Sequence, residues 1–250
     1  MNARIASIIV LALPALAACQ SGPQKIALAP GTGAITGIVT SAPHKDLIAK
    51  AKRVAKSTAA NMPADDRKYF DASGKVKYTD RMINYDTLDE LYVGLVLPGS
   101  RPPATHALTA REVGLVPRSV ALAKGDKLRI ENATKGALTF FVTDADGDEI
   151  IEFDPLAPGT SGEVAIDLEG PLEIATDERE DLTGWVLSRP GLAVRRVKSG
   201  ARYTFKDLAP GAYDMVFWYW RLGSLEHRAE VTAGAVVEIN ERLSVDITAH

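Results

Sequence analysis

The chain of 250 residues carries one cysteine, Cys19. A lone thiol excludes an intrachain disulfide and any site built from several thiolates. Histidine is also scarce. His44, His106, His227 and His250 are scattered, and none has an i+2 or i+4 partner. With no thiol to join them, a zinc or copper centre is not expected from these residues. There is no Gly-x-Ser-x-Gly elbow and no glycine-rich phosphate loop, so hydrolase and nucleotide chemistry lack their usual signatures. Neither sign of charge dominates: 29 basic residues face 32 acidic ones. Nothing in that balance suggests a nucleic-acid partner. Past the N-terminus no apolar run is long enough to span a bilayer.

The first eighteen residues are different. Arg4 precedes an apolar run, Ile5 to Ala18, interrupted only by Ser7. The run has the length of a signal-peptide core and ends in Leu16-Ala17-Ala18-Cys19, the arrangement a lipoprotein signal peptidase cleaves. The expectation is a signal peptide over 1–18, lipidation (a palmitate-type acyl anchor) at Cys19, and a tether over 19–30. Gln20 after the lipidated cysteine favours the outer membrane, with the protein facing the periplasm. What remains is 232 residues with 28 basic and 32 acidic side chains, enough for one large or two small domains.

The pattern that follows is largely β. Gly31 to Ser41 suggests a strand. His44 to Met62 is the exception, with Leu47, Ile48, Ala51, Val54 and Ala55 at helical spacing among Lys and Arg. It reads as an amphipathic insertion helix, lying on a domain or touching an anionic membrane surface. Pro63 to Tyr85 reads as loop. Leu91 to Leu97 is a buried-type strand, and Pro98 to Pro103 a break. Strand-like runs then follow from Ser119 to Leu243, with turns at Gly125-Asp126, Asp146-Gly147, Pro158-Gly159, Pro190-Gly191 and Pro210-Gly211. Many short strands at this spacing predict an all-β fold of two packed β-sandwiches, with one N-terminal insertion helix.

Three stretches invite a chemical reading. Asp144 to Glu149 resembles a calcium loop, but its glycine is fourth and position twelve is Pro155, so an Asp-Gly hairpin turn fits better. Asp177 to Asp181 holds four acids and Arg179. Acids adjacent on one turn do not flank a substrate as a glycosidase pair does. Tyr213 to Trp220 is the densest aromatic stretch. Alternation puts Tyr213, Met215, Phe217 and Tyr219 on one face and Val216, Trp218 and Trp220 on the other. The first face is core. The second packs between domains, or offers Trp218 and Trp220 to a protein partner or a sugar.

Residues Val116 to Asn132, VPRSVALAKGDKLRIEN, resemble the opening of a periplasmic cupredoxin (plastocyanin-like) domain. The resemblance implies a copper-binding histidine about six residues after Asn132, where Leu138 stands. Gly184-Trp185-Val186 resembles the strand before which that family closes its site with Cys-x-x-His-x-x-Met. It places Thr176 at the cysteine, Arg179 at the histidine and Leu182 at the methionine. Type 1 copper needs a thiolate and two imidazoles, which these residues do not supply. Tyr203 to Trp218, YTFKDLAPGAYDMVFW, resembles carboxypeptidase-regulatory-like (transthyretin-like) sandwiches.

The expected organisation is N-terminal strands and the helical insertion over 31–103, a cupredoxin-like domain over 104–188, and a regulatory-like sandwich over 189–250. Because sixty residues is short for a sandwich, Ala34 to Thr40 and Leu91 to Leu97 are candidates to complete it, with the cupredoxin-like part as an insertion. The expected function is a non-catalytic, lipid-anchored binding or scaffold protein with no metal and no cofactor. Its partners would be the membrane, through Cys19, and a protein. A copper-binding or electron-transfer protein is the first alternative, and a carbohydrate-binding module the second.

Overall fold

The computed structural model describes residues 26–42, 83, 85 and 88–244. Cys19, the tether up to residue 25 and the helix expected over 44–62 lie outside them.

The described residues are built from strands: β1 (Gly33–Ser41), β2 (Leu91–Val96), β3 (Thr105–Arg111), β4 (Gly114–Val116), β5 (Ser119–Ala123), β6 (Lys127–Asn132), β7 (Phe140–Thr143), β8 (Glu149–Glu152), β9 (Ser161–Ala165), β10 (Gly170–Thr176), β11 (Gly184–Arg189), β12 (Leu192–Val197), β13 (Arg202–Leu208), β14 (Gly211–Tyr219), β15 (Gly223–Val231), β16 (Val236–Glu238) and β17 (Glu241–Leu243). The all-β expectation holds. β3 and β4 were not expected, because His106, Leu108 and Ala110 alternate with residues too small or polar to stand out. The run Val236 to Leu243 divides at Ile239-Asn240 into two short strands. The run beginning at Leu138 becomes regular only at Phe140, and Leu138 itself makes an isolated bridge with Leu156.

Four sheets form two sandwiches. One pairs the sheet β13-β1-β16, with β17 also on β1, against the sheet β12-β2-β14-β15. The other pairs β5-β11-β10-β7-β8 against β4-β3-β6-β9. β1 and β2, early in the chain, therefore lie in the same sandwich as β12 to β17. Everything from β3 to β11 belongs to the other. Among the described residues the chain crosses between the two after β2 and again before β12, and these two crossings lie side by side. Val96 pairs with Leu192, and Leu97 N–H donates to Gly191 O at 2.9 Å. Gly191 sits at φ 62, and a Cβ there would lie 2.4 Å from Leu97 O, so the crossing requires glycine.

Period-two alternation builds both cores. Along β14, Tyr213, Met215, Phe217 and Tyr219 enter the first core beside Ile35, Leu91, Val93 and Phe205. Along β6, Leu128 and Ile130 enter the second, with Leu122, Phe140, Ile174 and Val186. Gly37 on β1 lets Ile239 O approach to where a Cβ would be 1.7 Å away, and Tyr203 Oη donates to that same carbonyl at 2.7 Å.

A third cluster joins the sandwiches. Ala121, Ala123 and Leu187 from one meet Tyr92, Leu192, Val216 and Trp218 from the other. Small side chains on β5 allow the aromatic face of β14 to sit close. Tyr92 Oη donates to Ser119 O at 2.5 Å across this seam, and burial pushes its phenol up to about 12.

Candidate functional site

Three of the four residues singled out at the copper-ligand positions gather at one end of the second sandwich. Leu138 and Leu182 are 2 % and 0 % exposed and share its core cluster with Ile174 and Phe140. Thr176 ends β10 at 3 % exposure, paired in register with Phe140 two residues past Leu138. Asn132, fully buried, fixes the approach. Its amide donates to Gly136 O and Leu156 O, both at 2.8 Å, and its Oδ1 accepts from Thr134 N–H at 2.9 Å. That lock sets where the segment leading to Leu138 enters.

Glu178, one of the acids of the charged run, takes a role not assigned to it from the sequence. Its carboxylate accepts the Thr176 hydroxyl and, at 3.2 Å, Thr139 N–H. The Thr176 hydrogen bond holds the Glu178 carboxyl below the usual range. The loop thus folds a carboxylate back over the position between Leu138 and Thr176. The available signal was an acid two residues beyond a buried threonine at a strand end, a local side-chain hydrogen-bonding pattern.

Arg179 does not join that group. It points to Asp181 at 2.7 Å and to Glu112 at 3.1 Å, and its Nη2 also donates to Glu112 O at 3.0 Å. Hydrogen bonds to Asp181 and Glu112 keep its guanidinium firmly charged, and Arg179 in turn lowers Asp181. The charged run Asp177 to Asp181 is therefore a braced turn. It is tied to the β3–β4 hairpin by Arg179 and to the start of β7 by Glu178.

The donor set does not fit type 1 copper. Two leucine side chains offer no lone pair, and the threonine hydroxyl is occupied by Glu178. The two histidines among the described residues lie elsewhere. His106 Nε2 is 2.9 Å from Asp126 Oδ2, and His227 Nδ1 is 3.2 Å from Glu241 Oε1, on different sandwiches. No group of three or more His, Cys, Asp or Glu that could hold a metal occurs among the described residues.

Asp126 organises the opposite end of β5. It is 1 % exposed and accepts from Arg101 Nη2 at 2.5 Å, Ala104 N–H at 2.9 Å and Ala123 N–H at 3.2 Å, besides His106. Burial pushes its carboxyl upward. The hydrogen bonds from Arg101, Ala104, His106 and Ala123 outweigh that and leave it lowered. Beside it lies an open cleft of about 250 Å³ lined by Arg101, Pro103, Lys124, Gly125 and Pro190.

The aromatic surface expected at Trp218 and Trp220 is largely consumed. Trp218 is 3 % exposed, its ring 5.5 Å from Tyr92. Trp220 is half-buried and stacks on Trp185 at 3.6 Å and 10°. Its neighbour Arg221 places a guanidinium 5.3 Å from the same ring. Trp218 has no free face for a sugar. The Asp144 loop is a turn, with Gly147 at φ 85 and Asp144 Oδ1 accepting from Asp146 and Asp148 N–H.

No known family matches the sequence, and no curated protein matches it. Among solved structures, the purple cupredoxin of Nitrosopumilus maritimus is similar over 33 % of this chain and 97 % of its own, with 15 % identity and a TM-score of 0.31. An oxidized amicyanin mutant is similar over 38 % of this chain and 98 % of its own, at 12 % identity and TM-score 0.30. A copper-containing nitrite reductase from Thermus scotoductus SA-01 is similar over 36 % of this chain and 23 % of its own, at 14 % and 0.30. At these scores the likeness carries no residue-level correspondence.

Proposed function

We propose that this chain is a lipid-anchored, non-catalytic binding or scaffold protein facing the periplasm, built on a cupredoxin-like sandwich that does not take up copper. The sandwich formed by β1, β2 and β12 to β17 is of the carboxypeptidase-regulatory-like kind. One observation supports the copper-free reading: Leu138, Thr176 and Leu182, the positions the sequence resemblance gives to copper ligands, are buried, and Glu178 accepts hydrogen bonds from Thr176 and Thr139. Leu138, Thr176 and Leu182 supply no soft donor. The partner is a protein. The bulky side chains that would serve a sugar are spent on packing the two sandwiches together.

Copper titration of the mature protein in detergent tests the reading, followed by calorimetry and an absorption spectrum. The expected result is no saturable one-to-one uptake and no thiolate charge-transfer band. Tight stoichiometric binding would overturn it and direct attention to His106 or His227. The anchor has its own check. Cys19→Ala is expected to release the protein from membranes or leave it uncleaved, and unchanged fractionation and processing would refute lipidation at that residue.

A further inference from the structure

β15 presents the longest regular strand edge with no partner among the described residues. Its nine residues pair one-for-one with β14, from Gly211↔Val231 to Tyr219↔Gly223, without a bulge. The other edges are blunted. β4 and β16 are three residues long, and β9 is five. β8 slips register against β7 at Val142/Thr143. β13 carries Asp207 at φ 60 and a register shift against β1. β5 is buried throughout, and β12 lies against β5 and β13; β15 also touches β1 and β16, and its buried residues, Ala229 and Val231, are at its C-terminal end. β15 carries no proline, lysine or bulge, and its charges alternate in sign along the strand. From Gly223 to Arg228 it is exposed on both faces, and Leu225 is 38 % exposed.

The strand is also self-complementary. Antiparallel pairing about a two-fold axis at His227 sets Glu226 opposite Arg228 of a second copy, and Arg228 opposite its Glu226. The same register sets Leu225 opposite Ala229 and Ser224 opposite Glu230. Moving the axis by one residue sets Glu226 or Arg228 opposite itself, which cross-strand electrostatics disfavours. Glu226 and Arg228 lie on the same face and are 67 % and 68 % exposed, each held only by a surface pair, to Arg189 and Asp214. We infer that the protein dimerises through β15, pairing with the β15 of a second copy in the register centred on His227. Such a contact is isologous and closes after two subunits.

The full chain in its membrane tests this. Residues facing each other across an antiparallel pair have Cα atoms about 4.5–5.5 Å apart, inside the range of about 4.4–6.8 Å that a disulfide spans. His227→Cys is therefore expected to give a reducible covalent dimer that the parent chain, with Cys19 alone, does not. Asp146→Cys, exposed on the other sandwich, controls for random collision. Adding Arg228→Glu to His227→Cys should lower the dimer about tenfold, since both symmetric charge pairs become like-charged. Adding Glu226→Arg as well should restore it. No dimer, a yield equal to the control, or failure of the charge swap to restore it would each overturn the proposal. Sedimentation of the unaltered chain in density-matched detergent gives an independent reading: two copies support the contact, and a single copy at every concentration overturns it.

Discussion

Trp185 and Trp220 stack face to face across the seam between the two sandwiches, 3.6 Å apart and 10° from parallel. One sits at the start of β11 and the other follows the end of β14, so the pair flanks the buried cluster that joins the two sandwiches. Each ring is half-buried, so its partner supplies most of its contact on one face. A double-mutant cycle with Trp185→Ala and Trp220→Ala should return a coupling of about 1 kcal/mol. The near-ultraviolet circular dichroism of the stacked pair should vanish in either single variant. Simple additivity would mean that the stack contributes nothing to joining the sandwiches.

Asp126 should make the protein acid-sensitive. Its folded pKa lies below its unfolded value of about 3.9. The stability it contributes is therefore present above about pH 4 and is lost as pH falls through the folded value. Asp126→Ala, which leaves Arg101 and two backbone N–H groups without their acceptor, should cost about 3 kcal/mol near neutrality. Asp126→Asn should flatten the acid limb of the stability profile measured by denaturant melts at several pH values. An unchanged acid limb would remove Asp126 as its cause.

Glu178 and Leu182 should separate two roles in one loop. Leu182→Ala empties a fully buried site and should cost about 2–5 kcal/mol. Glu178→Ala acts on an exposed carboxylate and should change global stability by less than about 1 kcal/mol. Amide exchange at Thr139 should quicken in the Glu178 variant, because its N–H loses its acceptor. A global loss as large as that of Leu182→Ala would mean the loop is part of the core.

The sequence pattern made the architecture legible where side chains alternate strongly. Tyr213 to Trp220 announced a strand with two apolar faces, and both faces are used as alternation requires. β3 escaped notice because threonine, histidine and alanine carry little contrast, and because the proline-rich break before it masks its start. At the candidate site, the placement of Leu138, Thr176 and Leu182 at one end followed from a family resemblance. The inward fold of Glu178 had a local signal in Thr176 two residues before it, whereas the outward turn of Arg179 to Glu112 depends on a hairpin 67 residues away, which no local pattern reveals.

The C-terminal segment should fail to fold by itself. Residues 189–250 lack β1 and β2, so β14 would lose its neighbour at Leu95, Gly94, Val93 and Tyr92, and β13 its partner throughout. That fragment should show the collapsed amide dispersion of an unfolded chain, while residues 98–190 should fold. A well-dispersed spectrum from 189–250 would contradict the pairing of β1 and β2.

The adjacent crossings at Val96 and Leu192 also set an order of events. Thr36 waits for Tyr203, 167 positions downstream, before its hydroxyl finds the carbonyl it donates to. A chain emerging from its N-terminus must carry β1 and β2 without neighbours until nearly all of it has appeared. If the middle sandwich closes early, it draws Val96 and Leu192 together and replaces a long, costly loop with a short one. The middle of the chain is then the template, and its two ends are the last pieces to find each other.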